Sequence, residues 1–191
     1  MALTVENAPV EQQPRAPYWT LDDYHQAIDA GVFGDRRIEL INGTLYEMPP
    51  MREPQMGATR HLAARFYTLG ERRVLSQMPI VLPDDGEPEP DIAVVGADAP
   101  MKPPVQHVQL AIEVSYATRQ FDRNVKLEAY LAAGLGEVWI VDLIERCVLV
   151  YRNSRLVGRY AAGENGKLTG VLVAEVTIDV DALFRAAGVS V

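Results

Sequence analysis

Short apolar runs separated by turn residues recur along most of the chain and predict a series of strands. The Asn42-Gly43 pair between two β-rich runs predicts a hairpin with a type I′ turn. Four segments have the apolar spacing or the capping residues of helices. The predicted strands are "RIELI", "TLYEM", "VLSQMPIVLP", "DIAVVG", "VQLAIEVS", "EVWIVDLI", "CVLVYRN" and "RLVGRYAA", and the predicted helices are "TLDDYHQAIDAG", "GATRHLAARFYTLGERR", "DRNVKLEAYLAAG" and the short end of "VTIDVDALFRAAG".

This order of elements predicts the fold class. Strands interrupted by single helices indicate an α/β or α+β domain with a mixed central β-sheet flanked by helices. Residues 1–17 contain three prolines and few apolar side chains, so we expect a flexible N-terminal tail. A chain of 191 residues suits one domain, and we expect that domain to span residues 18–191.

Three carboxylates stand singly within otherwise apolar strands. Glu113 lies in the middle of "VQLAIEVS", Asp91 opens "DIAVVG" and Glu39 lies between two apolar residues of "RIELI". An ionised carboxylate is costly to bury without a partner. If the three strands are neighbours, the acids converge and require a cation. Carboxylate oxygens suit a hard divalent ion, which predicts Mg²⁺ with Mn²⁺ as a substitute.

Lys126 supplies a positive charge close to these acids in the chain. It follows Glu113 by 13 positions, which leaves room for a loop and one helical turn to fold back over the strand. Asp122, Lys126 and Tyr130 are spaced i, i+4, i+8, so they share one face of the predicted helix. Lys126 could orient an attacking water or neutralise charge that develops on a phosphoryl group.

These residues resemble the PD-(D/E)XK nuclease superfamily and, more narrowly, the Uma-two family of restriction-endonuclease-like proteins. The resemblance rests on "EPDIAVV", "LAIEVS" and "FDRNVKLEAYLAAGLGEVWIVD" and extends from about Arg37 to about Arg152. It implies a restriction-endonuclease-like core. It also implies a metal held by Asp91, Glu113 and the backbone carbonyl of Val114, with Glu39 as an accessory acid. Ser115 stands where the superfamily usually has its lysine, and Lys126 fits the Uma-two variant of the pattern.

Each candidate residue also has a simpler interpretation, and these alternatives stay open at this point. Glu113 could face solvent on a half-exposed sheet, and Asp91 could be an ordinary turn acid after proline. Glu39 could form a salt bridge with Arg36 or Arg37. Asp122 is better explained as a helix N-cap than as a chemical participant.

Arginines near the predicted site are candidates for phosphate binding. Arg119 and Arg123 flank the site in sequence and are the best candidates for substrate binding, whereas other arginines fit ordinary solvated charge. The three histidines have no metal-ligand spacing between them. His61 could approach the site from the second predicted helix.

Composition narrows the class of protein. The net charge is −8 and the pI is about 4.9, which argues against broad, non-specific adhesion to nucleic acid or to an anionic membrane. Cys147 is the only cysteine, and no apolar run reaches the length of a membrane span. The first residues lack the pattern of a signal peptide. We therefore expect a cytoplasmic protein with no membrane partner.

Two classes of function follow from these features. The first is a Mg²⁺-dependent endonuclease that hydrolyses phosphodiester bonds, with DNA as the expected partner; a homodimer would suit a cut of both strands. The second is a non-catalytic binding protein that keeps the nuclease scaffold. A hydrolase acting on another phosphate ester is a weaker third hypothesis.

Overall fold

The structure, a computed structural model, describes residues 15–191. Residues 1–14 of the predicted tail lie outside the described residues. The helices are α1 (Leu21–Asp29), α2 (Glu53–Phe66), α3 (Arg119–Phe121), α4 (Leu127–Ala132) and α5 (Val180–Ala186), and the strands are β1 (Ile38–Ile41), β2 (Thr44–Glu47), β3 (Val74–Leu75), β4 (Ile92–Val95), β5 (Val108–Ser115), β6 (Glu137–Asp142), β7 (Cys147–Arg152), β8 (Arg155–Ala161), β9 (Lys167–Thr169) and β10 (Thr177–Asp179).

Six strands form a mixed central sheet in the order β3-β4-β5-β6-β7-β8. All neighbouring pairs are antiparallel except β5 and β6, which are parallel. The connection between the parallel strands contains α3, a π-helical segment (Asp122–Lys126) and α4. The predicted fold class is therefore confirmed. This crossover returns the chain over the face of β5 that carries Glu113.

The sheet is covered on both faces, because alternate residues of β5 belong to two different cores. Leu110 and Ile112 face a core shared with α2 and α5, whereas Ala111 faces a core shared with α4 and β1. Strand residues alternate between faces, so Glu113 lies on the same side as Ala111. Glu113 is 2% exposed. The interpretation of Glu113 as a solvent-facing residue is wrong.

The hairpin of β1 and β2 has the turn that its sequence predicts. Asn42 and Gly43 both have positive φ angles, 49° and 71°, as a type I′ turn requires. A β-carbon at Gly43 would lie 2.1 Å from the ring of Tyr18, so glycine is also needed for close packing. The predicted cap of α1 is present too, since Thr20 and Asp23 form a capping box.

Several element boundaries differ from the prediction. Helix α2 begins at Glu53, four residues earlier than expected, because Pro54 is well suited to the first turn of a helix. The predicted strand over 74–83 ends at Leu75, where Gln77 turns the chain with a φ of 52°. The π-helical segment and the short β9–β10 pair had no clear sequence signal. Among the described residues, no helix is long and apolar enough to cross a membrane.

Asp179 joins the β9–β10 pair to α5 and gives a pH-dependent contribution to stability. Its side chain pairs with Lys167 and caps α5 by accepting a hydrogen bond from the Ala182 N–H at 2.8 Å. The hydrogen bond from Lys167, helped by that from Ala182, lowers the pKa of Asp179 to about 2. Stability gained from a lowered pKa is present above the unfolded-state pKa and is lost as the pH falls through the folded-state value.

We therefore expect Asp179→Ala to lower the melting temperature by about 2–4 °C at pH 7. The difference from the wild type should shrink as the pH falls from about 4 towards 2. Thermal melting monitored by circular dichroism measures both effects. Glu164→Ala, which removes an exposed acid nearby, is the control. An Asp179 deficit that stays constant down to pH 2 would contradict the role given to this pair.

Candidate active site

Asp91 and Glu113 are brought together by the register of β4 and β5. Ile92 pairs with Ile112 in this antiparallel ladder, so Asp91 and Glu113 lie at the next position of the ladder. Their side chains therefore point to the face opposite to that of the two isoleucines. Both side chains line the same small cavity, and Asp91 is half-buried. The structure places the two acids on one side of the sheet, as the metal-site hypothesis requires.

Lys126 lies at the centre of the acidic residues. Its Nζ is 3.0 Å from Glu113 Oε1 and 3.0 Å from Glu39 Oε2, and it donates a hydrogen bond to the Glu89 carbonyl at 3.1 Å. Lys126 is 2% exposed. Burial alone lowers the pKa of a lysine, but the Glu113 and Glu39 carboxylates outweigh burial and raise the pKa of Lys126. Lys126 therefore carries a positive charge within the acidic cluster.

Glu39 contacts Lys126 and neither of the two neighbouring arginines. Arg36 pairs with Glu47 and Arg37 pairs with Glu89, so the alternative salt bridges of Glu39 are wrong. Lys126 Nζ donates to Glu39 Oε1 at 3.4 Å. The other oxygen, Oε2, is buried and lies 3.0 Å from the same Nζ, so the ammonium is shared between both oxygens of the carboxylate.

The backbone of Val114 connects Asp91 to a side chain that sequence analysis missed. The Val114 N–H donates to Asp91 Oδ2 at 2.7 Å, and the Val114 carbonyl accepts a hydrogen bond from Gln55 Nε2 at 3.1 Å. Gln55 is buried, and its Oε1 accepts from the backbone N–H of Arg52. Polar residues in the first turn of a helix are too common to single out Gln55 from sequence.

Asp122 belongs to the site and does not act as a helix cap. Its Oδ2 accepts hydrogen bonds from the hydroxyls of Ser115 and Thr118, both at 2.7 Å. It is buried and lines the same cavity as Glu113. The N-cap interpretation of Asp122 is wrong, because the helix begins earlier, at Arg119. Ser115 and Thr118 hold this carboxylate in place.

Tyr130 completes the surroundings of Glu113. Its hydroxyl donates to Glu113 Oε1 at 2.6 Å, and the side chain is fully buried. Burial and the adjacent Glu113 carboxylate raise the pKa of Tyr130 well above its usual value, so the hydroxyl stays a donor. The i, i+4, i+8 spacing from Asp122 placed Tyr130 on the correct helix face. The hydrogen bond itself required the tertiary structure.

The cluster carries more negative charge than Lys126 can balance. Five acids line the cavity around this lysine, and one of them, Glu89, pairs with Arg37. The other four are Glu39, Asp91, Glu113 and Asp122. When all four are ionised, Lys126 balances one charge and three negative charges are uncompensated. Burial raises the pKa of Asp91 to about 6, despite the lowering effects of the Val114 N–H and Lys126. Burial also raises the pKa of Glu113 well above its usual value, and the pKa of Asp122 is raised for the same reason. The site therefore favours protons or a further cation.

The chemistry of the donors fits a small divalent ion. The cavity of about 30 Å³ has room for a single small ion or water. Within residues 15–191, no three His, Cys, Asp or Glu side chains are gathered closely enough to hold a metal as they stand. Mg²⁺ usually takes only one or two carboxylates and fills its octahedron with other oxygens. Asp91, Glu113 and the Val114 carbonyl would supply two carboxylates and one further oxygen, which fits this preference of Mg²⁺.

Arg119 and Arg123 turn away from this cavity. Arg119 Nε and Arg123 NH2 lie 2.8 and 2.7 Å from Asp142 Oδ2, and Arg119 also pairs with Glu145. Asp142 is fully buried, so this cluster is a structural connection between α3 and the end of β6. Phosphate binding by Arg119 and Arg123 stays a prediction. It would require the ion pairs of these arginines with Asp142 to rearrange. His61 does not line the cavity.

The mixed sheet, the crossover helices and the acids at the ends of β4 and β5 define a restriction-endonuclease-like domain. The chain belongs to the Uma2 family, described as "Putative restriction endonuclease", whose model matches residues 21–181. It is similar in fold to a crystal structure described as "a putative nuclease belonging to DUF820" from Anabaena variabilis. That likeness has a TM-score of 0.67 and 16% identity, and it covers 88% of this chain and 98% of the other. No curated protein matches the chain.

Proposed function

We propose that this protein is a divalent-metal-dependent endonuclease that hydrolyses phosphodiester bonds in nucleic acid, with DNA as the first substrate to test. The observation that carries the proposal is the group of four acids from β1, β4, β5 and the crossover around one buried lysine. Membership of the Uma2 family supports a nuclease. The single, buried cysteine fits a cytoplasmic protein, and a homodimer would suit cleavage of both strands.

Each residue of the cluster has a distinct role in this proposal. Asp91, Glu113 and the Val114 carbonyl would hold Mg²⁺ or Mn²⁺. The ion would stabilise charge on a phosphoryl oxygen and lower the pKa of an attacking water. Lys126 places a permanent positive charge beside the same carboxylates, where it can neutralise charge that develops during cleavage. Glu39 orients Lys126.

A second candidate function, a non-catalytic binding module, is favoured by two specific contacts. Lys126 already pairs with Glu113, and Gln55 already donates to the Val114 carbonyl that would face the metal. Both contacts stabilise the cluster without an ion. A binding module of this kind would take up no divalent metal at Asp91 and would cleave no nucleic acid.

Calorimetry and plasmid cleavage separate the two candidates. We expect the wild-type protein to bind one Mn²⁺ ion and to nick or linearise plasmid DNA in Mn²⁺ or Mg²⁺, with cleavage abolished by EDTA. Asp91→Asn should lose both properties, because the amide removes one negatively charged ligand. Asp98→Asn changes an exposed acid in the loop after β4 and is the matched control. Wild-type protein that neither binds Mn²⁺ nor cleaves nucleic acid would contradict the nuclease proposal.

A further inference from the structure

A groove rich in aromatic side chains opens beside the acidic cavity. Its volume is about 450 Å³, within the range of small-ligand sites. We call it the aromatic groove and define it by the residues that the argument uses: Tyr46, Tyr116, Phe121, Met48, Pro49 and Thr118. The last three also line the acidic cavity, so the groove and the cavity are adjacent.

Each aromatic residue of the groove is a direct neighbour of a site residue. Tyr46 is paired with Glu39 across the β1–β2 hairpin. Tyr116 immediately follows Ser115, which holds Asp122, and Phe121 immediately precedes Asp122. The elements that position the acids therefore also position the three rings. A group bound on the rings would lie next to a group bound at the acids.

The three rings remain accessible and are only partly used in packing. Tyr46, Tyr116 and Phe121 are each partly exposed. Tyr46 and Phe121 support one another, with ring centroids 4.8 Å apart and ring planes at 59°. Within residues 15–191, the hydroxyls of Tyr46 and Tyr116 form no hydrogen bond, in contrast to the buried hydroxyl of Tyr130. Partly exposed rings, two of which carry a hydroxyl, are suited to a flat, polar ligand.

The groove offers little unpaired positive charge for contacts with phosphates. Arg119 lines the groove, but its guanidinium is held by Asp142 and Glu145. Glu47, also in the lining, is exposed. The whole chain carries a net charge of −8. Binding through neutralised phosphates is therefore weak here, and the favourable contacts come from the ring faces.

We propose that the aromatic groove binds an unpaired nucleobase of a single-stranded polynucleotide, next to the phosphate that faces the mouth of the acidic cavity. This inference rests on the proposed function and names its substrate class. Every nucleobase offers a π-face for stacking on an aromatic ring. In a duplex these faces are covered by neighbouring bases, so single-stranded or locally unpaired nucleic acid is bound in preference to an intact duplex.

Fluorescence anisotropy with the full chain in EDTA, where the metal is withheld, tests this inference. The probes are 12-nucleotide oligothymidine DNA, oligouridine RNA and a 12-base-pair DNA duplex. We expect at least one single strand to bind about tenfold or more tightly than the duplex, and the DNA and RNA probes to report the preferred sugar. Tyr116→Ala should weaken this binding by about 5- to 100-fold, as loss of one stacked base does. Tyr116→Trp should retain it.

Tyr67→Ala is the matched control, because Tyr67 is an exposed tyrosine that does not line the groove. In a plot of log affinity against log salt concentration, the slope should be shallower than about −1.4, which is the value for two phosphates contacted on a single strand.

If Tyr116→Ala fails to fold, abasic sites are scanned through the oligonucleotide with wild-type protein. One position should then lose more affinity than its neighbours.

Three results would overturn the inference: equal binding of duplex and single strand, equal behaviour of Tyr116→Ala and Tyr67→Ala, or uniform loss along the abasic scan. Failure of this inference can be distinguished from failure of the proposed function. Metal-dependent plasmid cleavage without a Tyr116 effect would reject the groove and keep the nuclease. Tyr116-dependent binding of single strands with no cleavage of any nucleic acid would keep the groove and reject the nuclease.

Discussion

Glu113→Gln is expected to abolish metal-dependent cleavage while the fold stays intact. Glutamine has nearly the same shape as glutamate but lacks the negative charge that a divalent ion requires. Loss of metal-centred charge stabilisation, worth several kcal/mol, should lower the cleavage rate by about 10³-fold or more. Plasmid cleavage in Mn²⁺ at several enzyme concentrations measures this loss.

The stability of the same variant provides the second measurement. Glu113 is buried, and burial raises the pKa of its carboxyl well above the usual value. Removing one charge from a cluster with excess negative charge should therefore leave the melting temperature unchanged or raise it. Glu128→Gln, on the exposed side of α4, is the matched control and should retain full cleavage. Cleavage by Glu113→Gln at the wild-type rate would remove Glu113 from the site.

Lys126→Met should give the largest loss of stability. Methionine keeps much of the volume of the side chain but leaves the surrounding acids without their buried cation. Breaking a buried ion pair by removing one partner typically costs about 3–5 kcal/mol. We expect a loss of that size in the free energy of unfolding at pH 7, measured by urea denaturation. Lys102→Met is the matched control, since Lys102 pairs with Glu87 but its side chain is 43% exposed.

The pH dependence of this loss provides a test of its cause. Burial raises the pKa of Asp91 to about 6 and raises the pKa of Glu113 well above its usual value. An acid whose pKa is raised by folding is better tolerated when protonated, so its penalty decreases as the pH falls. The deficit of Lys126→Met should therefore shrink between pH 7 and pH 5. A deficit that grows or stays constant over this range would show that lost packing, rather than unbalanced charge, destabilises the variant.

Sequence reasoning was most accurate where local rules control the structure. The type I′ turn at Asn42-Gly43 and the capping box of Thr20 depend on residues a few positions apart. Element boundaries were less accurate. The early start of α2 at Glu53 and the early end of β3 at Leu75 depend on turns whose geometry several sequences can adopt.

The candidate site was only partly predictable, for a related reason. Alternation along β5 predicted which residues share a face with Glu113, and helical spacing predicted that Lys126 and Tyr130 share one face of their helix. Their partners could not be read from spacing. The contact of Lys126 with Glu39 spans 87 positions of the chain. Gln55 could not be identified from the sequence, because its importance comes from the hydrogen bond that it donates to the Val114 carbonyl.

By itself, the sequence determined the alternation of strand residues, the mixed order of strands and helices, and the side of the sheet on which Glu113 lies. These properties follow from backbone geometry, which repeats every two residues in a strand and every 3.6 in a helix. Only the tertiary structure decided that Lys126 lies between Glu39 and Glu113, that Asp142 holds Arg119, and that the aromatic groove opens beside the acids. Such contacts join distant segments, and their geometry depends on how whole elements pack.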